Sequence, residues 1–403
     1  MTLPDLPPPT LVADEAGLGK LLEELAAHAE IAVDTEADSF YSYREKVCLV
    51  QVSVEGRDYL VDPLARLDLG RLGKLFADPR KLKVFHDGEY DISILKREWG
   101  FRFAAVFDTR VAAAALGMQA PGLASVLAER FDVELDKSMQ RSNWAQRPLS
   151  ERQISYARLD THFLIPLMRE LRAELDAADR SMIVASECRR LEDLEPAQPE
   201  FNPEEWVRVK GARQLTPKQR RIVRELFLLR DELARASDQP PFRVMNNALL
   251  VELSRHQPRS PARLTEIHGF TSRLGRRIGD RVLRTIARAA KMPPIPELPR
   301  LPRRDGTSGL GDEELELFER LKRWRKGISD REGIEASYLL NRHVMLRLAQ
   351  ERPRDEERLA AIDGLQDWQL ESYAEGLLEV LARFERDLAE GRALGKTGRR
   401  WRG

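Results

Sequence analysis

Two acidic residues, Asp34 and Glu36, follow a short apolar run in the segment IAVDTEADSF. Because the side chains of a strand alternate between its two faces, both carboxylates are predicted to project from the same face. Two carboxylates this close together raise each other's pKa unless a cation lies between them. The pair therefore predicts either a site for a metal ion that prefers oxygen ligands or a solvated strand end, and taken alone it favours the strand end.

A second group of acids stands where a predicted strand runs into a predicted helix, in VFHDGEYDISIL. Asp87 and Glu89 at the helix entry are explained by capping and by the helix dipole, with Asp87 as the cap. Asp91 becomes a candidate site residue only together with the other acids. His86, a lone histidine at a strand end, is interpreted as a hydrogen-bonded structural residue rather than a contact to substrate.

A tyrosine and an aspartate, Tyr156 and Asp160, are spaced i, i+4 in YARLD and lie on one face of a predicted helix. By themselves they are typical of a half-buried ring with a solvated hydroxyl, followed by a solvated acid. Their interest depends on whether the fold brings them to the other acids.

The elements that must position these residues form an α/β domain, since residues 20 to 180 alternate short apolar runs with helical periodicity. The strands are predicted at IAVDTE, CLVQVSV, DYLVDP and LKVFHD, and the helices at LGRLGKLF and YDISILKREWG. A longer helix is predicted from about Ser150 to Ala178, with Ser150 as its cap.

The rest of the chain is predicted to be helical and to contain a repeat. Two blocks of about 80 residues match at an offset of about 95, which carries Asn246 to Asn341 and Gly269 to Gly364. A proline-rich segment precedes each block and is predicted to be a linker. The predicted boundaries are a catalytic domain at 1–195, a linker at 196–211, a helical domain at 212–291, a linker at 292–311, a second helical domain at 312–390 and a basic tail at 391–403.

The composition is that of a globular chain with 403 residues, 42% of them hydrophobic and 33% charged. Basic and acidic residues number 66 each, yet residues 201–300 carry a charge of about +11 and residues 1–200 about −10. Cys48 and Cys188 are far apart and lack metal-ligand spacing, so neither a disulfide framework nor a zinc knuckle is indicated. With no apolar run of membrane-spanning length and no secretory signal, we expect a soluble, cytoplasmic protein.

Together, the acids at 34, 36, 91 and 160 and the tyrosine at 156 occur in an order that resembles the DEDDy branch of the DEDD superfamily of 3′–5′ exonucleases. The segments FDTRVAAAALG and LDKSMQRSNWAQRPLSERQISYARLD and the helical repeat resemble the ribonuclease D family with its two HRDC domains. The resemblance implies an α/β RNase H-like catalytic domain followed by two all-α, HRDC-like domains. It also implies that Asp34, Glu36, Asp91 and Asp160 hold two divalent metal ions, Mg²⁺ or Mn²⁺, and that Tyr156 positions the attacking water.

Two positions depart from the family pattern. Asn143 stands where an aspartate is common, which could change a helix cap or a substrate contact. Arg158 stands between Tyr156 and Asp160 where a small residue is common, and it could place a positive charge near the metals or turn away from them. Neither departure removes a predicted metal ligand.

Two groups of arginines are candidates for RNA binding. Arg141 and Arg147 flank Trp144, so this loop could hold phosphates and stack a base, or it could be a packed tryptophan among surface arginines. In the basic middle of the chain, an excess of arginines without balancing acids predicts a phosphate-binding surface. Its candidates are Arg276, Arg277, Arg281 and Arg284.

We therefore expect a metal-dependent 3′–5′ exoribonuclease that trims RNA ends and releases nucleoside 5′-monophosphates, with tRNA precursors as the substrate class that the resemblance implies. The alternatives are a DNA 3′–5′ exonuclease, because the acids read phosphodiester geometry rather than a 2′-hydroxyl, and a non-catalytic RNA-binding adaptor. RNA is the expected partner, and neither a membrane nor a protein partner is implied.

Overall fold

A computed structural model of the protein describes residues 6–196, 200–302 and 306–392. The chain divides into two compact units. One consists of the described parts of Met1–Glu36, Val47–Ala197 and Pro302–Gly403, and the other of those of Ala37–Lys46 and Gln198–Leu301. The first unit contains a sheet domain and the second helical repeat, whereas the second unit contains the first helical repeat and one loop of the sheet domain.

The sheet domain is built on six strands in the order β1-β4-β3-β2-β5-β6. The pairs β1–β4, β2–β5 and β5–β6 are parallel, while β3 and β4 form an antiparallel pair. The alternating apolar runs thus form a mixed α/β sheet, as predicted. The strands are β1 (Thr10–Val12), β2 (Glu30–Ala37), β3 (Val47–Val54), β4 (Arg57–Val61), β5 (Leu82–Phe85) and β6 (Val106–Asp108).

Eight helices accompany the sheet among the described residues of this domain. Ser150 caps the helix that carries the tyrosine motif, as predicted, and its side chain accepts a hydrogen bond from the Gln153 backbone N–H. The predicted long helix is, however, two helices that meet at Phe163. The helices are α1 (Glu15–Ala27), α2 (Gly70–Phe76), α3 (Glu89–Trp99), α4 (Thr109–Ala115), α5 (Leu123–Phe131), α6 (Glu151–His162), α7 (Leu164–Ala177) and α8 (Ser181–Glu192).

The two helical repeats have the same sequence of elements. The first contains α9 (Pro217–Ala236), α10 (Pro241–Val244), α11 (Asn247–His256), α12 (Pro261–Thr265) and α13 (Ser272–Ala289). The second contains α14 (Asp312–Glu332), α15 (Ala336–Leu339), α16 (Arg342–Glu351), α17 (Glu356–Ala360) and α18 (Asp367–Ala389).

The predicted repeat is confirmed at the level of single residues. Asn246 and Asn341 cap equivalent helices, and each side chain accepts a backbone N–H three residues on. Gly269 and Gly364 adopt φ values of +87° and +85° in the equivalent turn, a conformation that favours glycine. The sequence matches at these positions because the same backbone geometry requires the same residue types.

Both segments predicted as linkers contribute side chains to the core of the first repeat. Trp206, in the segment predicted as a linker at 196–211, is fully buried in that core. Ile295, in the segment predicted at 292–311, packs against the same core and donates its backbone N–H to the Pro217 carbonyl. The prolines correctly indicated irregular backbone. The apolar residues between them, however, bury their side chains against the core of the first repeat.

The second repeat packs against the sheet domain within their common unit. Arg110 of α4 donates to the Tyr338 hydroxyl at 2.8 Å, and Trp368 Nε1 donates to Ser186 Oγ at 3.2 Å. Arg180 donates to the backbone carbonyl of Glu332. Over the described residues, none of the helices combines the length and apolar character of a membrane span. The predicted basic tail lies, from residue 393 onward, outside the described residues.

Candidate active site

Three of the four predicted acids converge at one point of the sheet domain. Asp34 and Glu36 project from β2, and Asp160 projects from α6. One carboxylate oxygen of each lies within 4.8 Å of those of the other two. The i, i+2 spacing on the strand therefore does what strand geometry predicts, and α6 supplies the third acid.

The fourth acid, Asp91, lies in the first turn of α3 and has a partner of its own. Thr35, between Asp34 and Glu36 on β2, donates its hydroxyl to Asp91 Oδ1 at 2.5 Å. Burial raises the pKa of Asp91 to about 6, although the Thr35 hydrogen bond opposes that change. Asp91 also raises the pKa of Asp34 and Glu36 by charge repulsion. It therefore belongs electrostatically to the cluster without being one of the three converging carboxylates.

Tyr156 stands one helical turn before Asp160 on the same face of α6. The interaction of its hydroxyl with the Asp160 carboxylate opposes the rise in the pKa of that acid. Burial, followed by repulsion from Asp160, Glu36 and Asp34, holds the pKa of Tyr156 far above its ordinary value. The phenol is therefore neutral and available as a hydrogen-bond donor at any physiological pH.

The cluster is an electrostatic arrangement that calls for a cation. Burial and mutual repulsion raise the pKa values of Asp34, Glu36 and Asp160 well above their ordinary range. Among the described residues, no lysine, arginine or histidine forms an ion pair with any of the three. Carboxylate oxygens are the ligands that hard divalent cations prefer, so the donor set fits a divalent metal.

The entry into α3 corrects one expectation. Asp87 does not cap this helix, because Gly88 is its N-cap residue and Asp87 adopts a left-handed φ of +63°. The Asp87 carboxylate instead lies 3.7 Å from Arg110. The Asp108 carboxylate instead accepts hydrogen bonds from the backbone N–H groups of Asp87 at 3.1 Å and of Gly88 at 2.8 Å.

His86 has the structural environment that was expected of it. Its Nδ1 lies 2.9 Å from Thr109 Oγ1. Burial lowers the pKa of His86 to about 4, so the ring is neutral at pH 7.

The arginine between Tyr156 and Asp160 turns away from the cluster. Arg158 Nε donates to Asp58 Oδ2 at 2.8 Å, and the His162 ring lies 2.9 Å from the same oxygen. Burial opposes charge on Asp58, but hydrogen bonds from His162, Ser53 and Arg158 lower its pKa overall. Of the two orientations left open by the sequence, the structure has the one that brings no charge to the acids.

Asn143 lies beside the start of α6. Its backbone carbonyl accepts Gln153 Nε2 at 3.2 Å, while its Oδ1 is buried and finds no hydrogen-bond partner among the described residues. The departure from the family pattern thus falls at a helix entry, one of the two places expected for it.

The loop around Trp144 has the character of packed structure. Trp144 is 1% exposed, with its ring centroid 6.0 Å from that of Tyr156, so its faces are closed to a base. Arg147 donates to both oxygens of Asp62 at 2.6 and 2.7 Å and to the Cys48 carbonyl at 2.7 Å. Arg141 is exposed at the end of a short 3₁₀ helix, Lys137–Arg141. For Arg147 and Trp144, the structural alternative is favoured.

The basic middle of the chain places its arginines along one helix. The face of α13 opposite the core carries Arg276, Arg277 and Arg284, all exposed, and they form no ion pair with a described residue. Arg281 differs, because it pairs with Glu232 at 2.7 Å. RNA binding by these four residues stays a prediction, and three of them have the free charge that it needs.

Sequence reasoning missed two residues that position the acids, Thr35 and Asp108. Thr35 was read only as the spacer of the DTE segment, yet its hydroxyl holds Asp91. Asp108 stands immediately before α4 in FDTR, a typical capping position, and it accepts four backbone N–H groups, those of residues 87, 88, 110 and 111. The capping pattern was visible in the sequence, but the contact with residues 87 and 88 is long-range and was not.

Two family models match the chain. A 3′–5′ exonuclease model matches residues 9–176, and an HRDC domain model matches residues 219–286 and 314–381. Ribonuclease D of Pseudomonas paraeruginosa is 34% identical over 294 residues, which cover 70% of this chain and 75% of that protein. The exosome complex exonuclease RRP6 of Saccharomyces cerevisiae is 35% identical over 265 residues, and the chain spans only 36% of its length.

Solved structures agree with these similarities. Escherichia coli RNase D, described as an exoribonuclease involved in structured RNA processing, aligns with a TM-score of 0.63 and 26% identity over 93% of this chain and 99% of that one. The catalytic core of RRP6 from Trypanosoma brucei aligns with a TM-score of 0.66 and 29% identity over 72% of this chain and 81% of that core.

Proposed function

Because this chain belongs to the ribonuclease D family of 3′–5′ exoribonucleases, we propose that it hydrolyses RNA from the 3′ end at the cluster of Asp34, Glu36 and Asp160, with Asp91 beside it. The observation that carries the proposal is the convergence of three carboxylates within 4.8 Å. Burying acids together costs stability unless a positive charge compensates them. The cluster therefore costs the fold stability and points to a role in chemistry.

The four acids would hold two divalent metal ions, Mg²⁺ or Mn²⁺. When bound, such ions lower the pKa of water and stabilise the charge that develops on the leaving 3′ oxygen. The protein's own contribution is to hold the ligands in position. Thr35 orients Asp91 by its hydrogen bond.

Tyr156 is the residue proposed to orient the attacking water. Its raised pKa keeps the phenol protonated, so it can donate one hydrogen bond and accept another. A neutral hydroxyl beside the acids can align a water molecule without competing for a metal ion. Attack by that water on the terminal phosphodiester would release a nucleoside 5′-monophosphate.

Structured RNA, with tRNA precursors as the class, is the proposed substrate. Support comes from the exposed arginines of α13 and from the similarity to E. coli RNase D, an exoribonuclease involved in structured RNA processing. A cytoplasmic location is proposed with it, consistent with two buried, free cysteines, Cys48 and Cys188.

The experiment compares 3′-labelled and 5′-labelled tRNA precursor, single-stranded RNA and single-stranded DNA of equal sequence, with Mg²⁺, Mn²⁺ or EDTA. We expect stepwise shortening of RNA from the 3′ end, nucleoside 5′-monophosphate as product, and no reaction in EDTA. Faster cleavage of DNA would favour the DNA exonuclease alternative. Binding of RNA without cleavage under any metal would favour the adaptor.

A further inference from the structure

Two phenylalanines are exposed side by side in the unit that contains the first helical repeat. Phe40, in the loop 37–46, is 38% exposed, and Phe242, in α10, is 52% exposed. Their ring centroids are 6.4 Å apart in an edge-to-face arrangement. We call Phe40, Tyr41, Phe242 and Arg243 the aromatic surface.

The loop that carries Phe40 is held in place by buried polar contacts. Asp38 is fully buried and accepts the Lys46 backbone N–H at 2.9 Å, the Lys46 ammonium at 2.8 Å and the Ser42 hydroxyl at 2.5 Å. The Tyr43 hydroxyl donates to Asp231 of α9 at 2.6 Å. Phe40 is therefore presented to solvent by a fixed backbone rather than by a loose loop tip.

Positive charge lies directly on this surface. The Arg243 guanidinium stands 4.1 Å from the centre of the Tyr41 ring, a cation–π contact. The segment in which Phe242 and Arg243 lie, residues 201–300, carries about +11. Exposed aromatic rings together with arginine are what a single-stranded nucleic acid needs, because bases stack on the rings and phosphates pair with the cations.

We propose that the aromatic surface is a stacking site for the bases of single-stranded RNA leading to the 3′ end, a site that rests on the proposed function. Phe40 is four residues after Glu36 in the chain, so their Cα atoms are at most about 15 Å apart. The chain itself thus limits how far Phe40 can lie from Glu36. Stacking reads no base identity, which suits an enzyme that removes nucleotides one after another.

The aromatic surface offers rings on which bases can stack, which the buried Trp144 does not. Trp144 is closed to solvent, whereas Phe40 and Phe242 are 38% and 52% exposed. An RNA strand also fits the charge of this surface better than an apolar protein segment, which would leave Arg243 without a phosphate or acid to pair with. A second copy of the chain is the occupant to be distinguished by experiment.

The test measures RNA binding by the full chain in EDTA, with an octameric oligoadenylate RNA that contains 2-aminopurine near its 3′ end. Binding is followed by anisotropy and stacking by quenching of the 2-aminopurine. Phe40→Ala and Phe242→Ala should each weaken binding about tenfold and reduce the quenching, as expected for one lost base–aromatic stack. Phe242→Trp should bind as the parent does, while Phe242→Leu should behave like Phe242→Ala. Phe201→Ala is the matched control, since Phe201 is also 38% exposed and belongs to the same unit, and it should bind normally.

Three results would overturn the proposal. Undiminished binding and quenching in both alanine variants would show that the rings do not stack bases. Restoration by Phe242→Leu as complete as by Phe242→Trp would show that only apolar bulk matters. A dimer of the parent that Phe242→Ala dissociates, with RNA binding intact, would assign the surface to a second copy. Because binding is measured without metal, cleavage by the parent in Mg²⁺ or Mn²⁺ tests the proposed function separately.

Discussion

At the scale of single residues, the buried acids lower the stability of the metal-free protein and supply the ligands proposed for the reaction. Asp34 is surrounded by Asp91, Asp160 and Glu36, and burial together with their repulsion raises its pKa. Without metal, each ionised carboxylate in such a cluster costs free energy of folding. With metal, the same charges become ligands, and binding returns stability by mass action.

Asp34→Asn should accordingly make the metal-free protein more stable. Removal of one charge relieves repulsion, and a gain of about 1 kcal/mol would raise the Tm in EDTA by about 2–4 °C for a domain of this size. The same variant should lose the further rise in Tm that Mg²⁺ or Mn²⁺ gives the parent. Differential scanning fluorimetry with and without metal measures both effects. A lower Tm of Asp34→Asn in EDTA would mean that the carboxylate stabilises the fold.

Asp91 and Asp87 are four residues apart, and their substitution by asparagine should have very different consequences for hydrolysis. Asp91→Asn removes a proposed metal ligand and should abolish cleavage of RNA. Asp87→Asn should change the rate little, because Asp87 is exposed and asparagine tolerates its left-handed φ of +63°. Single-turnover rates of the two purified variants decide between them. Loss of activity only in Asp87→Asn would reverse the assignment.

Tyr156→Phe keeps the ring and removes the hydroxyl that is proposed to orient the attacking water. We expect turnover to fall by roughly 10²-fold, while the Kd for RNA stays near that of the parent. The reason is that a group that orients the attacking water acts mainly in the transition state. Steady-state kinetics and anisotropy on the same preparation separate the two quantities. A normal turnover number would remove Tyr156 from the reaction.

At the scale of elements, local spacing predicted which side chains share a face, but not the long-range hydrogen bonds that hold Asp91 and the entry into α3 in place. Alternation on β2 and the i, i+4 spacing on α6 are local, so the common face of Asp34 and Glu36 and that of Tyr156 and Asp160 followed from the sequence. The bonds of Thr35 to Asp91 and of Asp108 to Gly88 join residues 56 and 20 positions apart. Local pattern contains no information on such contacts, which arise only when the strands and helices pack.

The entry into α3 depends on the absence of a side chain at Gly88. A Cβ atom there would lie 2.6 Å from the Cβ of buried Phe85. Gly88→Ala should therefore shift the first turn of α3, lower stability by about 1–3 kcal/mol and reduce activity, because Asp91 is in that turn. Gly19→Ala in α1 is the control, since nothing lies within 4 Å of its added Cβ and a helical alanine should stabilise by about 0.5–1 kcal/mol. Equal denaturation midpoints of the two variants would contradict this account.

At the scale of the whole molecule, the two repeats have the same helices but different surroundings. The second repeat shares a unit with the sheet domain and bonds it through Tyr338 and Trp368. A chain that ends near Glu195 would lose those contacts as well as the first repeat. Substitution of the exposed arginines on α13 is therefore a cleaner test of RNA affinity than truncation.

The combined variant Arg276→Gln, Arg277→Gln and Arg284→Gln should weaken the binding of tRNA and flatten its salt dependence. Each phosphate contact that is lost removes up to about 0.7–0.9 from the slope of log K against log salt concentration, because fewer counterions are released on binding. Arg281→Gln is the matched control, since its charge is already paired with Glu232, and it should change the slope less than any one of the other three. Hydrolysis of a short oligonucleotide at saturating concentration should persist in the triple variant, because the carboxylates are intact. Titrations at four or more salt concentrations give the slopes, and an unchanged slope in the triple variant would mean that this face of α13 is only solvated.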